Sequence, residues 1–419
     1  MKQRLLISKN WSQVLTFFLL VLGYSSCNDQ VESTYTYHAM VPVSMEASTL
    51  RSMPVGQMAP REISETGKIY IFGDFLFVNE PHEGIHIINN TNPSNPQNIS
   101  FIEVPGTVDL AINDNILYAD SYIDLLAFDI SNPYNVKMVK RVEDVFMNYY
   151  TNPEVGTFMY FKDSVMTSTE PRRNWGGPIF WLETAAFSNA DAGGSYGQGG
   201  SMARFTLSSG YLYTVDDYDL RLFDVSEKSS PEFVKQINLG WGIETIFPFK
   251  DKLFIGSNTG MHIYDVSTPS EPEMLSVYSH FTSCDPVVAN DDYAFVTLRS
   301  GTFCRQGMNV LEVLDIKDPS DPKLLKSYEM KNPHGLGLSG YNLFVCEGEY
   351  GLKSFKVQDV MNLDKNQMQH LENINAIDLI PGPKSLIVIG NDVICQYDYS
   401  NPGQLKLLSC MQIEKQQLY

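Results

Sequence analysis

Residues 212–226 read LYTVDDYDLRLFDVS: a strand, a short polar break, a second strand and an Asp-apolar-Ser turn. The same figure returns at residues 253–269, LFIGSNTGMHIYDVSTP, where a proline closes the turn. It returns again between residues 294 and 319, from AFVT to LEVLDIKDP. A repeated unit of this kind is a stronger signal for the fold than any single residue, because each copy forms one supersecondary unit.

An apolar anchor residue, usually a leucine followed by an aromatic residue, begins the second strand of each copy. The seven anchors are Leu76, Leu117, Leu212, Leu253, Ala294, Leu343 and Leu386. Subtraction gives spacings of 41, 95, 41, 41, 49 and 43 residues, and only the second is far from the blade length of four-stranded propeller repeats. The sequence therefore predicts an all-β fold, a seven-bladed β-propeller of four-stranded antiparallel blades over residues 67–419, with an insertion at about 141–200.

The repeat favours a closed ring, because no copy can bury both faces of its small sheet alone. An open solenoid is the alternative, but it would need atypical polar ends, and the last copy is complete to Met411. The third strands end in DISNP (129–133), DVSTP (265–269) and DYSNP (398–402). An aspartate there can accept backbone N–H bonds from the turn, so we interpret these aspartates as structural and not as metal ligands.

The first 26 residues have the order of a targeting signal. Basic residues come first (Lys2, Arg4 and Lys9), an apolar run follows at 14–22, and Ser25-Ser26 precede Cys27. This order resembles a bacterial lipoprotein signal peptide, in which Cys27 is lipidated and becomes the mature N-terminus. An ordinary secretory signal is the alternative, and either one takes the domain out of the cytoplasm. Residues 27–66 are then predicted to be a lipid-anchored tether with a possible short helix near residues 45–51.

The charge of the chain narrows the choice of partners. The formal net charge is −19, and removal of three basic and no acidic residues with the signal makes it about −22. Such a surface repels nucleic acids and anionic lipid headgroups, and it is compatible with cations, neutral glycans or proteins.

Residues 260–272, GMHIYDVSTPSEP, and the related segments resemble the LVIVD repeat of extracytoplasmic bacterial β-propeller proteins. Residues 200–205 and 284–288 are similar to segments of lipoproteins in that family. The resemblance runs from about Gly67 to the C-terminus and implies a seven-bladed propeller anchored by lipid in the cell envelope. It brings no established catalytic residues. The sixth copy departs from the pattern at residues 355–358, FKVQ.

Each copy places one polar residue at the start of its first strand, eight or nine residues before the anchor. These residues are Lys68, Asp109, Arg204, Glu244, Asp285, His334 and Asp378. Because the first strands of a propeller line its central channel, we expect the seven to converge on one channel mouth, as a candidate site for a polar ligand or a cation. The alternative is that these charges pair with one another in a hydrated channel.

The two insertions break the repeat and are further candidates for function. The first holds aromatic residues beside arginines, of which Arg172, Arg173, Trp175 and Trp181 form a candidate binding surface for a protein or a glycan. The alternative is a cap in which the aromatic residues pack onto the propeller. The second insertion covers residues 299–307.

The cysteines suit a compartment in which disulfides form. Cys284 and Cys304 are predicted to pair at the mouth of the fifth copy, with two buried thiols as the alternative. Cys395 and Cys410 flank the last hairpin and are a second possible pair, which leaves Cys346 for the core. No motif for a metal, a cofactor or a catalytic nucleophile stands at a convincing spacing, and the one Gly-x-Ser-x-Gly match, at 193–197, lies in a glycine-rich loop.

These observations together predict a monomeric propeller that is lipid-anchored in the cell envelope, at the outer membrane, either in the periplasm or at the cell surface. We expect it to be a binding or scaffold module for an envelope protein or a glycan, without cofactor, metal or catalysis. The alternative is a glycan-active lyase or hydrolase that uses carboxylates at the channel mouth.

Overall fold

The computed structural model of the protein describes residues 35–146, 151–152, 156–168, 198–279, 286–299 and 308–414. Outside these ranges lie the predicted signal peptide, Cys27, the predicted Cys284–Cys304 disulfide, Asp285 and the four candidate residues at 172–181. The protein divides into two units, residues 1–44 with 158–181 and residues 45–157 with 182–419.

The chain begins with β1 (Tyr35–Met45), α1 (Ala47–Arg51) and β2 (Gly56–Met58). Blade 1 follows with β3 (Ile69–Phe72), β4 (Phe75–Glu80), β5 (Gly84–Asn89) and β6 (Gln97–Glu103). Blade 2 comprises β7 (Leu110–Asn113), β8 (Ile116–Ser121), β9 (Asp124–Asp129) and β10 (Lys137–Val142). The insertion contributes β11 (Thr151–Asn152), β12 (Gly156–Ser168) and β13 (Gln198–Gly199). A separate three-stranded sheet has the order β1-β12-β11.

Five further blades complete the chain. Blade 3 is β14 (Phe205–Ser208), β15 (Tyr211–Val215), β16 (Asp219–Asp224) and β17 (Glu232–Asn238). Blade 4 is β18 (Ile243–Phe249), β19 (Lys252–Ser257), β20 (Gly260–Asp265) and β21 (Glu273–Ser279). Blade 5 is β22 (Val287–Ala289), β23 (Tyr293–Leu298), β24 (Val310–Asp315) and β25 (Lys323–Glu329). Blade 6 is β26 (Leu336–Ser339), β27 (Asn342–Cys346), β28 (Leu352–Lys356) and β29 (Gln367–Leu371). Blade 7 is β30 (Ala376–Pro381), β31 (Leu386–Gly390), β32 (Val393–Asp398) and β33 (Lys406–Gln412).

The predicted seven-bladed propeller of four-stranded antiparallel blades is confirmed. In every blade the four strands pair in sequence order, and the first strands of successive blades contact one another from β3 through β30. Blade 1 gains two further strands, β2 beside β6 and β13 beside β3. The apolar core is divided into clusters that span neighbouring blades, as expected when each sheet is buried between two others.

The ring closes between blades 7 and 1, which excludes the open solenoid. Isoleucines of blade 1 pack against those of blade 7, among them Ile69 and Ile380. The buried side chains of Asn90 and Gln396 exchange two hydrogen bonds of 3.0 and 2.7 Å across the same junction. Closure is therefore made by side chains together with one backbone hydrogen bond of 2.8 Å, from the N–H of Glu414 to the carbonyl of Ile63. The four strands of each blade come from one continuous stretch of chain.

The repeated Asp-apolar-Ser-x-Pro figure has two structural roles. Its aspartate accepts a hydrogen bond from the backbone N–H two residues later, as Asp129, Asp265 and Asp398 do at 2.7 to 3.0 Å. The structure adds a second role, because the proline carbonyl accepts a hydroxyl from the preceding blade. Ser100 donates to Pro133 at 3.1 Å, and Ser409 of the last blade donates to Pro93 of the first at 2.6 Å. The figure therefore joins blades as well as ending strands.

The sixth copy, which departs from the figure, has a 3-10 helix at Val360–Asn362 in place of the usual turn. Asp359 accepts from the N–H of Met361 at 3.2 Å and so provides part of the missing cap. The hydroxyl of Tyr328 in blade 5 accepts from the N–H of Leu363, which ties the altered connection to the neighbouring blade.

The predicted tether is bonded to the propeller through the end of α1. At the end of α1, Arg51 donates to the buried carboxylate of Asp124 in blade 2 at 2.8 and 2.9 Å, and Arg141 donates to the same carboxylate at 2.7 Å. Burial opposes the ionisation of Asp124, but the hydrogen bonds from Arg51, Arg141 and the backbone outweigh it and lower its pKa. Residues from about 45 onward are thus fastened to the propeller.

Cys395 and Cys410 form a disulfide between the paired strands β32 and β33, so the second possible pair of the sequence is present. Cys346 is free and buried, as expected for a core cysteine. The disulfide links residues 15 positions apart in the last hairpin, a closure that stabilises by about 3 kcal/mol in the loop-entropy description.

Candidate functional site

The structure brings four of the predicted channel residues together. Lys68 interacts electrostatically with Asp109, Arg204 and Asp378, and also with Asp120 of β8. Lys68, Asp109 and Asp378 are at most 2% exposed, so they do not line an open mouth. Glu244 is half-buried at the start of β18, and His334 lies buried in blade 6 with its backbone N–H donating to Cys346. A ligand-binding role for these residues stays a prediction.

The cluster is covered by residues 198–204, which we call the channel segment. Its first two residues pair as β13 with the inner edge of β3. The hydroxyl of Ser201 then accepts from the N–H of Leu336 in blade 6 at 2.8 Å and donates to Asp378 in blade 7 at 3.0 Å. Lys68 of blade 1 donates to the carbonyl of Met202 at 3.0 Å. Because the first strands line the channel, a segment bonded to so many of them lies inside it.

Asp109 fastens the other end of the channel segment. One of its carboxylate oxygens accepts from the N–H groups of Arg204 and Phe205, and the other accepts from its own neighbour Leu110 at 2.7 Å. Asp120 accepts from the N–H groups of Val108 and Asp109 at 2.8 and 3.0 Å, which shapes the chain before β7. The two carboxylates are therefore used as backbone acceptors at the point where blades 2 and 3 meet.

Burial controls the ionisation of the cluster. It raises the pKa of Asp109 to about 6 although Lys68 and the backbone donors oppose the change, and it raises the pKa of Asp378 well above its ordinary value. It lowers the pKa of Lys68 to about 8, against the attraction of Asp109 and Asp378. The opposite charges of Lys68 and Asp109 thus partly compensate each other.

The effect of burial on Asp109 can be tested by measuring how the unfolding free energy depends on pH. Its carboxyl binds a proton more tightly in the folded state (pKa about 6) than in the unfolded state (pKa about 3.8), so its contribution to stability is present below pH 3.8 and is lost as the pH rises through 6. In Asp109→Asn this dependence disappears. We expect wild type to gain about 1 kcal/mol of unfolding free energy relative to the variant between pH 7 and pH 5, by urea unfolding at each pH.

The matched control for this experiment is Asp321→Asn, whose carboxylate is 64% exposed. The control should keep a constant difference from wild type over the same range. A constant difference for Asp109→Asn as well would contradict the burial argument.

Sequence reasoning missed Ser201 and Asp120. Asp120 could have been found, because it is a carboxylate in the largely apolar strand β8. Ser201 could not, since the spacing of the repeat says nothing about where an insertion returns. Across the described ranges, no group of three His, Cys, Asp or Glu side chains is placed to hold a metal ion. None of the helices in these ranges is long and apolar enough to cross a membrane.

Comparison with known proteins agrees with the fold. Residues 199–238, 253–279 and 284–330 match the family model described as LVIVD repeat. The chain carries LVIVD repeats. No curated protein matches it. A functionally unknown protein from Desulfotomaculum acetoxidans is 12% identical, with a TM-score of 0.52 over 81% of this chain and 95% of that one. The computationally designed Ika8 protein is 10% identical, with a TM-score of 0.51 over 84% and 89% of the two chains. At these identities the likeness concerns the fold alone.

Proposed function

We propose that this LVIVD-repeat propeller is a binding or scaffold module of the cell envelope, anchored by a lipid on Cys27 and directed at a protein or glycan partner. One observation carries the proposal: the polar groups that could have made the channel reactive are bonded to the protein's own channel segment. Binding then falls to the loops of the outer surface, which vary without disturbing the blades.

Two further features support an extracytoplasmic location. The first 27 residues have the order of basic, apolar and Ser-Ser-Cys segments that lipoprotein signals share. The disulfide between Cys395 and Cys410 suits an oxidising compartment, because structural disulfides are rare in the cytosol. The strongly negative net charge agrees with a partner that is not an anionic polymer.

The anchor is tested by metabolic labelling with radioactive palmitate, with Cys27→Ala as the variant and Cys346→Ala as a control that removes a different free cysteine. We expect label and membrane association in wild type and in the control, and neither in Cys27→Ala. Equal membrane association of Cys27→Ala would overturn the lipid anchor.

The module is tested by cross-linking in intact envelopes and recovery of the tagged full-length protein with its partner. A screen for glycan turnover runs beside it, on wild type, Asp109→Asn and Asp378→Asn. We expect a recovered partner and no turnover, because these two carboxylates are 1% and 0% exposed. Turnover by wild type that both variants lose, with their folding verified by circular dichroism, would replace the module with an enzyme.

A further inference from the structure

Trp241 stands out on the face of the ring that carries the crossovers between blades, which we call the crossover face. It lies between β17 and β18, and 59% of it is exposed. Gly240 and Gly242 flank it with φ angles of +94° and +88°, a region that side chains disfavour. A Cβ on Gly242 would also lie 2.3 Å from the side chain of Asn258. The backbone conformation on both sides of the exposed Trp241 therefore requires glycine.

The loop around Trp241 is fastened on both sides by its backbone. The N–H of Leu239 donates to the carbonyl of Tyr218, and that of Gly242 donates to the carbonyl of Asp217, both at 2.8 Å. The N–H of Asn258 donates to the carbonyl of Gly242, again at 2.8 Å. The indole is thus held on a fixed loop, and a ligand that stacks on it orders little additional chain.

A carboxylate and a guanidinium group lie beside this loop. The side chain of Asp217, 56% exposed, accepts from the guanidinium of Arg204 at 3.2 Å. Glu244 follows two residues after Gly242 and is half-buried. A carboxylate accepts hydrogen bonds and a guanidinium donates them. This pair therefore suits a ligand whose groups both donate and accept hydrogen bonds. Sugar hydroxyls are such groups, and the C–H face of a sugar ring is apolar enough to stack on an indole.

The surroundings favour a sugar over a protein surface. The centres of protein interfaces are poor in charged residues and rich in further aromatic residues. The Trp241 loop is instead bonded through the N–H of Gly242 to the carbonyl of Asp217, whose carboxylate pairs with Arg204, and it leads directly into Glu244. The charges also disfavour an anionic polymer, since carboxylates outnumber the guanidinium. We propose that Trp241, Asp217 and Arg204 form a binding site for neutral glycans. This proposal rests on the module function above and names its ligand class.

Affinity electrophoresis of the full-length protein tests the site. The probes are an α-glucan, a β-glucan, a xylan and a galactomannan, with polygalacturonate as the anionic comparison. We expect retardation by at least one neutral polysaccharide, weakened at least tenfold in Trp241→Ala and several-fold in Asp217→Asn, because tryptophans that the ligand covers on binding contribute most to sites of this kind. Tyr341→Ala is the matched control: Tyr341 is 58% exposed, follows the turn between β26 and β27 on the opposite face, and should bind as wild type does.

Each other outcome decides against the site. No retardation by any neutral polysaccharide overturns it, and so does equal retardation of wild type and Trp241→Ala. Recovery of an envelope protein that depends on Trp241, without polysaccharide binding, overturns the glycan assignment and leaves the module function standing.

Discussion

Replacement of Gln396 by alanine is expected to lower the unfolding free energy by about 3 kcal/mol, because it opens the junction at which the ring closes. Gln396 is fully buried. It exchanges two hydrogen bonds with Asn90 and accepts a third, of 2.6 Å, from the hydroxyl of Ser385. Truncation leaves the Asn90 amide and this hydroxyl buried without partners. Equilibrium unfolding in urea measures the loss.

Two further variants separate this effect from a general loss of packing. Gln404→Ala removes an exposed glutamine from the same blade and should lie within about 0.5 kcal/mol of wild type. Asn90→Leu combined with Gln396→Leu replaces both partners by apolar groups and should recover part of the loss, since no amide then remains unpaired. A single Gln396→Ala variant as stable as wild type would show that the isoleucine cluster alone closes the ring.

The fold could be predicted from the sequence because the pattern of one blade occurs seven times. Each copy repeats the apolar anchor, the hairpin turn and the Asp-apolar-Ser figure, so an error in one copy is corrected by the others. The turns illustrate this: Asp114, Ser209 and Gly340, each between the first and second strands of its blade, all have positive φ.

The outer strands show a repeated feature that sequence reading did not detect. In every blade the register between the third and fourth strands shifts once, at a β-bulge. A bulge twists a strand and makes it a poor template for pairing with another chain. Blade 1 differs, because β2 covers its outer strand. The bulge has no required residue type, so no pattern of letters marks it.

The candidate site was predictable only in part, for a reason that lies in the insertion. Counting back from the anchors found Lys68, Asp109, Arg204 and Asp378, because the repeat sets where each first strand begins. Whether these charged groups are exposed or buried depends on partners in the channel segment. The repeat does not determine the path of that segment. Ser201 and Met202 lie more than 130 residues from Lys68 or Leu336 in the chain. Trp241 was missed since a single tryptophan between glycines resembles any loop.

Replacement of Gly335 by alanine is expected to disrupt the channel interior, at a cost of about 3 kcal/mol. A Cβ at this position would lie 1.7 Å from the Oδ1 atom of Asp378, which cannot yield without breaking its hydrogen bond to Ser201. Gly403→Ala is the matched control, since its Cβ would meet only ordinary contacts beyond 3.4 Å. Thermal and urea unfolding of both variants measure the difference.

The decisive variant combines Gly335→Ala with Asp378→Ala. Truncation of Asp378 alone leaves the Ser201 hydroxyl without its acceptor, and it also removes the atoms that the new methyl group would strike. The double variant should therefore be more stable than the sum of the two single losses predicts, by about 1 kcal/mol or more. Strict additivity would mean that the methyl group is accommodated without displacing Asp378.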